Sequence, residues 1–213
     1  MANSSSAQDV AESLMGSLQL HSKKILAGAI GLAAIAGAAY FYNAAEATKK
    51  VAAERAYYLA QQSVASGNVP LATTDLRKTV DRYTGTPGGN QAALALAQLL
   101  YDQGKHDEGI AAAERASPET DSDRASREAM IAAGLEGQRK FIEAAARYGA
   151  AATASTLPSE KAALRANQAR ALMAAGKSQE AQAIWTELST NPFGALADEA
   201  KIRLGELTAK PAS

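Results

Sequence analysis

Hydrophobic and polar positions follow two regimes along this chain. From Ile25 to Tyr42 no charged residue occurs, and the run meets the lower limit of about 18 apolar residues for a helix that crosses a bilayer. Beyond it, apolar residues recur at helical spacing in segments divided by short polar breaks. Their period is roughly 34–37 residues, which fits stacked helical repeats. The pattern predicts an all-α chain: an N-terminal single transmembrane helix, then an α-solenoid of about four degenerate repeats and a C-terminal capping helix at Ala195 to Thr208.

Four breaks set the register of the repeats: Ser66-Gly67-Asn68, Gln103-Gly104-Lys105, Gln138-Arg139-Lys140 and Ala175-Gly176-Lys177. A Gly or polar residue after a periodic segment marks a helix C-terminus. Longer loops are expected at Thr84 to Gly89, Ser117-Pro118, Leu157-Pro158 and Asn191-Pro192, because proline cannot continue a helix interior. Aligned on Gly67, Gly104, Arg139 and Gly176, the units match. Seven residues before these anchors stand Ala60, Ala97, Ala132 and Ala169; five after them stand Ala72, Gly109, Ala144 and Ala181. Only small side chains let two helices cross closely there. Leu100, Leu135 and Leu172 precede their anchors by four residues and are expected in the core, with Ser63 as the exception. Leu76, Ala113, Tyr148 and Trp185 follow by nine and are expected to face the next unit.

The apolar run admits a second reading, a cleaved signal peptide ending at Ala36-Gly37-Ala38. Against it stand the length of the run, the acidic Asp9 and Glu12 in the segment before it, and a helical pattern that continues from Tyr40 to Ala65. An anchor over 23–45 is therefore expected, preceded by a cytoplasmic tail without fixed structure over 1–22. The repeats should fill 46–208, with a tail at 209–213. Val10, Leu14 and Leu18 share one face of a possible short helix in the first tail, but its acidic polar face does not suit anionic lipids. Lys23 and Lys24 flank the run and predict the N-terminus inside and the large domain outside. Ala29, Ala33 and Gly37 form a row of small residues that would permit close helix contact, although a run this rich in Ala and Gly produces such rows by chance.

Composition narrows the chemistry. Lys+Arg and Asp+Glu are both 22, so the formal charge is zero, and no basic face for nucleic acid is expected. The absence of Cys excludes disulfides, thiolate zinc sites and Cys nucleophiles. About a quarter of the chain is Ala and only 5% is aromatic, which favours close-packed helices. The two histidines, His21 and His106, form no His-Glu-x-x-His pair, and neither a phosphate loop nor a nucleophile elbow occurs. Glu119, Asp121 and Asp123 cluster before a helix; Ser122 or Asp123 is expected to be its N-cap, and the series is too short for a calcium loop. Neither an enzyme nor a bound cofactor, metal or small-molecule substrate is expected.

The segments GlyLysHisAspGluGlyIle at Gly104 to Ile110, GlyLysSerGlnGluAla at Gly176 to Ala181 and ArgLysPheIleGluAla at Arg139 to Ala144 resemble the Gly-Lys-aromatic-x-Glu-Ala turn of tetratricopeptide repeats. The first unit departs most, since Gly67-Asn68-Val69-Pro70 lacks the aromatic and the Glu. The layout of tail, anchor, about four repeats and cap resembles the ancillary SecYEG translocon subunit (YfgM-like) family. That resemblance implies a single-pass bacterial inner-membrane protein with its repeats in the periplasm. Its partners would be other proteins: the translocon, chaperones or unfolded polypeptide. A scaffold subunit of a membrane complex and a cleaved, soluble periplasmic protein of the division-coordinator type remain alternatives. By analogy with the repeat family, the first helix of each unit lines the concave face, where Tyr57, Gln61, Gln98, Tyr101, Arg170 and Met173 are the candidate partner-binding residues. Asn167 and Arg170 alone do not make a clamp for a peptide carboxylate, because Ala129, Ala133 and Ala166 surround them in the repeat pattern. The groove is expected to be mixed, mildly apolar and tolerant.

Overall fold

The computed structural model describes residues 5–190 and 196–208, and every regular element among them is an α-helix. In chain order these are α1 (Ser5–Ala65), α2 (Val69–Tyr83), α3 (Pro87–Asp102), α4 (His106–Glu114), α5 (Asp121–Gly137), α6 (Phe141–Ala154), α7 (Pro158–Ala174), α8 (Ser178–Ser189) and α9 (Ala197–Thr208). The chain divides into two units, Met1–Thr48 and Lys49–Ser213.

In the first unit, Ser5 to Ser22, expected to be an irregular tail, are helical and belong to α1. The apolar side chains of Leu26, Ile30, Leu32, Ile35, Tyr40, Phe41 and Tyr42 are all between 62% and 73% exposed. Among the described residues, α1 is the one helix long and apolar enough to cross a bilayer; an N-terminal signal sequence would meet the same criterion.

In the second unit the helices from Lys49 onward follow one another in antiparallel pairs. The end of α1 packs against α2, then α3 pairs with α4, α5 with α6 and α7 with α8, and α9 packs on α8. The register read from the sequence holds. Ala60, Ala97, Ala132, Ala169, Ala72, Ala144 and Ala181 are each 0% exposed, and Gly109 is buried. A Cβ on Gly109 would lie 2.3 Å from the Tyr101 ring, so the α3–α4 crossing tolerates nothing larger. Leu100, Leu135 and Leu172 enter the core, as do Leu76, Ala113, Tyr148 and Trp185. Burying each large apolar side chain contributes about 1.5–3 kcal/mol, and the alanines bring the helices close enough for that contact.

The four anchors share a backbone conformation. Gly67, Gly104 and Gly176 have φ of 73°, 74° and 74°, and Arg139 has φ of 60°, the sole non-glycine with positive φ among the described residues. In three turns the next amide donates back to a carbonyl near the helix end: Lys105 to Leu100 at 2.9 Å, Lys140 to Leu135 at 2.9 Å and Lys177 to Leu172 at 2.8 Å. These bonds satisfy carbonyls that the helix end would otherwise leave open. The first turn differs, as its sequence suggests: Asn68 Oδ1 instead caps α2 by accepting from the Leu71 amide at 3.2 Å.

Two boundary expectations change. Pro87, Gly88 and Gly89 are not loop but the first turn of α3. Thr86 caps it, its Oγ1 accepting from the Gly89 amide at 3.1 Å, and proline suits that first position. Gly88 is required by close approach, since a Cβ there would stand 2.6 Å from the Ala53 carbonyl carbon of α1. The N-cap of α5 is Thr120 rather than Ser122 or Asp123. Thr120 Oγ1 accepts from the Asp123 amide at 3.1 Å, while Asp123 Oδ2 accepts from the Thr120 amide at 3.0 Å, a reciprocal capping box. The capping helix starts at Ala197; the expected boundary at Asn191-Pro192, the expected start at Ala195 and the 209–213 tail lie outside the described residues.

The outer face of the first pair is open. Leu59 lies eight residues before its anchor, as do Leu96 and Ile131, yet it is 52% exposed against 4% and 3%. Ser63 at this end donates to Asp75 Oδ2 at 3.0 Å, which satisfies its hydroxyl where later units place leucine.

Candidate functional site

The first helices of successive pairs form a trough on one side of the second unit. Its N-terminal part is a concavity of about 480 Å3 lined by Glu54, Tyr57, Tyr58, Gln61 and Gln62 of α1 and by Gln91 of α3. Gln91 also lines a neighbouring concavity of about 240 Å3, together with Asn90, Leu94, Glu119, Asp123 and Ser126. Gln91 lines both concavities, one beside α1 and the other beside the start of α5.

The structure divides the six candidate residues. Tyr57 and Gln61 meet in the trough, the Gln61 amide donating to the Tyr57 hydroxyl. Gln98 is exposed further along α3 and donates to Asp102 Oδ1 at 2.8 Å. These three face solvent with their polar atoms close to helix neighbours, and Tyr57 also packs one side of its ring against the core.

Tyr101, Arg170 and Met173 are instead engaged within the solenoid. The Tyr101 hydroxyl donates to the Met130 carbonyl at 3.0 Å, and its ring stacks on His106 at 5.8 Å. Gly109 and Gly134 leave the space this ring fills, since a Cβ on Gly109 would lie 2.3 Å from the ring and one on Gly134 2.7 Å from it. Burial, then the nearby Glu114 charge, push the Tyr101 phenol up to about 12. Arg170 Nε and Nη2 donate to the two carboxylate oxygens of Glu199 on α9 at 2.9 and 2.6 Å, and its Nη1 donates to Asn167 Oδ1 at 2.5 Å. The Met173 sulfur accepts from the Trp185 indole N–H at 3.2 Å. The physical reason is common to all three: neighbouring helices of the solenoid or the cap stand over these positions and turn a concave site into an internal contact. Because Arg170 is already bonded to both Glu199 and Asn167, these residues do not present an open anion clamp.

Two internal polar contacts have no clear mark in the sequence. Glu128 is 6% exposed and accepts from Arg147 at 2.7 Å and Arg127 at 2.9 Å. Burial raises its pKa, but the hydrogen bonds and charges of Arg147 and Arg127 outweigh that and hold it below the usual carboxylate range. The Tyr148 hydroxyl donates to Glu136 at 2.8 Å; burial, and then that hydrogen bond, raise its phenol well above the ordinary value. Both contacts tie α5 to α6 and are structural in geometry.

Glu54, Tyr58, Gln91 and Leu94 are trough residues that the sequence reading misses. A signal for them exists. Glu54, Gln91 and Ser126 each precede their anchor by thirteen residues, and Tyr57 and Leu94 by ten, so the register that exposes the small crossing residues also defines the trough rows.

No family model and no curated protein matches the chain. Among solved structures, it is similar to the crystal structure of nearly identical TPR-like repeats of a Podosopora anserina protein described as a kinesin light chain. The identity is 19%, the TM-score is 0.58, and the match covers 72% of this chain and 83% of that one. A single-substitution form of the same protein matches with the same values. At this identity the likeness speaks for the fold, and together with the four helix pairs and their matched turns it makes the second unit a TPR-like α-solenoid.

Proposed function

We propose that this chain is a membrane-attached protein-interaction module without enzymatic activity, holding polypeptide partners on the concave side of its solenoid. The observation that carries the reading is the concavity lined by Tyr57, Tyr58 and Gln61, with Gln98 exposed further along α3, while Tyr101, Arg170 and Met173 are engaged between helices. Aromatic and amide side chains on a rigid helical support suit tolerant contact with extended polypeptide. Support for membrane attachment comes from the exposed apolar side chains of α1. The resemblance of layout extends the proposal: the chain is anchored in a bacterial inner membrane, its solenoid is periplasmic, and its partners are exported proteins or chaperones at the translocon. The test is gentle detergent extraction of tagged full-length protein followed by mass spectrometry of what co-purifies. The proposal expects translocon subunits and folding factors in substoichiometric amounts. Recovery of one fixed stoichiometric complex would favour a scaffold subunit instead, and a mature N-terminus near Ala39 would show the apolar run to be a signal peptide.

A further inference from the structure

The seam between the first two helix pairs shows how one unit covers the next. There α2 packs on α3. Arg77 of α2 donates to Glu108 of α4 at 3.2 Å, and Asp81 of α2 pairs with Arg115 of α4. Leu96 of α3 lies in the same seam and is 4% exposed. The repeat register carries each of these accepting positions into the first unit. Leu59 stands where Leu96 does, eight residues before the anchor. Leu71 stands where Glu108 does, four after it, and Lys78 stands where Arg115 does, eleven after it. Leu59 and Lys78 line a groove of about 300 Å3 between α1 and α2, the counterpart of the covered seam. Here it is open: Leu59 is 52% and Leu71 46% exposed.

Two features set this face apart from a finished end. A terminal repeat ordinarily turns a polar face outward. At the position of Leu71 the later units carry Glu108, Glu143 and Glu180, all exposed and in a first turn, where a carboxylate suits the helix N-terminus. Leu71 gives up that interaction and exposes apolar surface at the one unit without a predecessor. The second feature is charge. Lys78, Arg82 and, one turn before Leu59, Arg55 make no ion pair among the described residues, whereas Arg77 and Asp81 are committed to α4. The one carboxylate in the groove is Asp75, which accepts from Ser63. Glu54, next to Arg55, lines the concave side instead. Three cations thus face one hydrogen-bonded carboxylate.

We infer that this open end is a docking site for an amphipathic helix of a partner protein, with an apolar residue set against Leu59 and Leu71 and an acidic residue one turn on set against Lys78. The inference goes beyond the concave-side reading and uses a separate surface. Its chemistry is read from α2, where Arg77 and Asp81 are one turn apart and meet Glu108 and Arg115. With Leu71 in place of Glu108, the covering helix needs an apolar residue in place of Arg77. With Lys78 in place of Arg115, it keeps the carboxylate of Asp81. The far end of the solenoid supplies the precedent: α9, outside the repeat register, covers α8 with Ala200 fully buried and Glu199 bonded to Arg170.

The probe is a stapled helical peptide with the α2 sequence, Val69–Tyr83, carrying Arg77→Leu. Its counterpart carries Asp81→Lys in addition. Fluorescence anisotropy measures binding of each labelled peptide to the full-length chain in detergent. The first peptide should bind the parent protein more tightly than its counterpart. L71E should weaken it about tenfold or more, the scale of one buried leucine. K78E should reverse the order of the two peptides, each shifting by roughly two- to fivefold, the scale of one exposed ion pair. Both substitutions sit at exposed helix positions, and circular dichroism should show the variants as helical as the parent. Binding of neither peptide to the parent protein, undiminished binding to L71E, or the same order of peptides on K78E would each overturn the inference.

Discussion

Arg170 on α7 grips Glu199 on α9 with two parallel hydrogen bonds of 2.9 and 2.6 Å, so a residue placed to meet a partner is spent on holding the last helix to the solenoid. The guanidinium also lies 5.9 Å from the Trp185 ring, which adds a cation–π contact on a fully buried indole. Hydrogen bonds from Arg170 hold the Glu199 carboxyl below the usual range. Replacing Arg170 by Ala should therefore loosen α9 before the rest of the domain. The expected cost is about 1 kcal/mol, because both side chains are partly exposed. Hydrogen exchange should accelerate across Ala197–Thr208 while α3 to α6 keep their protection. Uniform acceleration through the solenoid would mean that α9 and the repeats open as one unit.

The tight crossings give the second prediction. Ala169 and Ala181 are both 0% exposed at matched positions of α7 and α8. Ala169→Leu or Ala181→Leu should destabilise the solenoid by about 1–3 kcal/mol through overpacking, read as a lower midpoint in chemical denaturation. Ala183→Leu, at an exposed position of α8, is the control and should leave the midpoint within error.

Arg139 supplies a prediction of opposite sign. It holds φ of 60° where the three other turns have glycine. A left-handed residue with a Cβ costs about 1–2 kcal/mol, while glycine loses about 0.5–1 kcal/mol in unfolded-state entropy. Its guanidinium lies 5.9 Å from the Phe141 ring, a contact that offsets part of the strain. Arg139→Gly should thus raise stability by roughly 0.5 kcal/mol, and Gly176→Arg should lower it by roughly 1 kcal/mol. Thermal melts of the two variants should move in opposite directions.

Glu128 links stability to pH. Its folded pKa lies below the unfolded value, so the stabilisation it contributes is complete above the unfolded carboxylate pKa of about 4.3 and fades as pH falls through the lower folded value. Glu128→Gln should cost about 1–3 kcal/mol at neutral pH by removing two charge-assisted acceptor contacts. The gap to the parent should close in acid, where the parent loses the same contribution. A gap independent of pH between neutrality and pH ~3 would assign the cost to packing instead.

Much of this architecture is legible in the residues alone, for a physical reason. Close crossings demand small side chains at fixed spacing, and left-handed turns favour glycine, so Ala60, Ala97, Ala132 and Ala169 and the anchors at Gly67, Gly104 and Gly176 mark themselves in the sequence. The same spacing carries Arg139 into its turn despite the wrong side chain. The trough is less legible because concave positions have no compositional demand. Tyr101 and Gln98 look alike as candidates, and only the spaces opened by Gly109 and Gly134 decide that Tyr101 turns inward. Arg170 looks free in the sequence because its partner Glu199 is 29 residues away, on a helix outside the repeat register. The first turn of α3 resembles a loop because Pro-Gly-Gly suggests a connector, whereas Thr86 caps it and Ala53 requires the glycine.

The most direct test of the account is site-specific photo-crosslinking in intact membranes. A photoreactive residue replaces, one at a time, Tyr57, Gln91 and Gln98 in the trough, or Glu114 on the exposed side of α4. Crosslinked polypeptide from the three trough positions, with little from the control, is the predicted result. Equal or stronger crosslinking from Glu114 would contradict it, because the partner would then lie on the second helices and the trough would not be the binding surface.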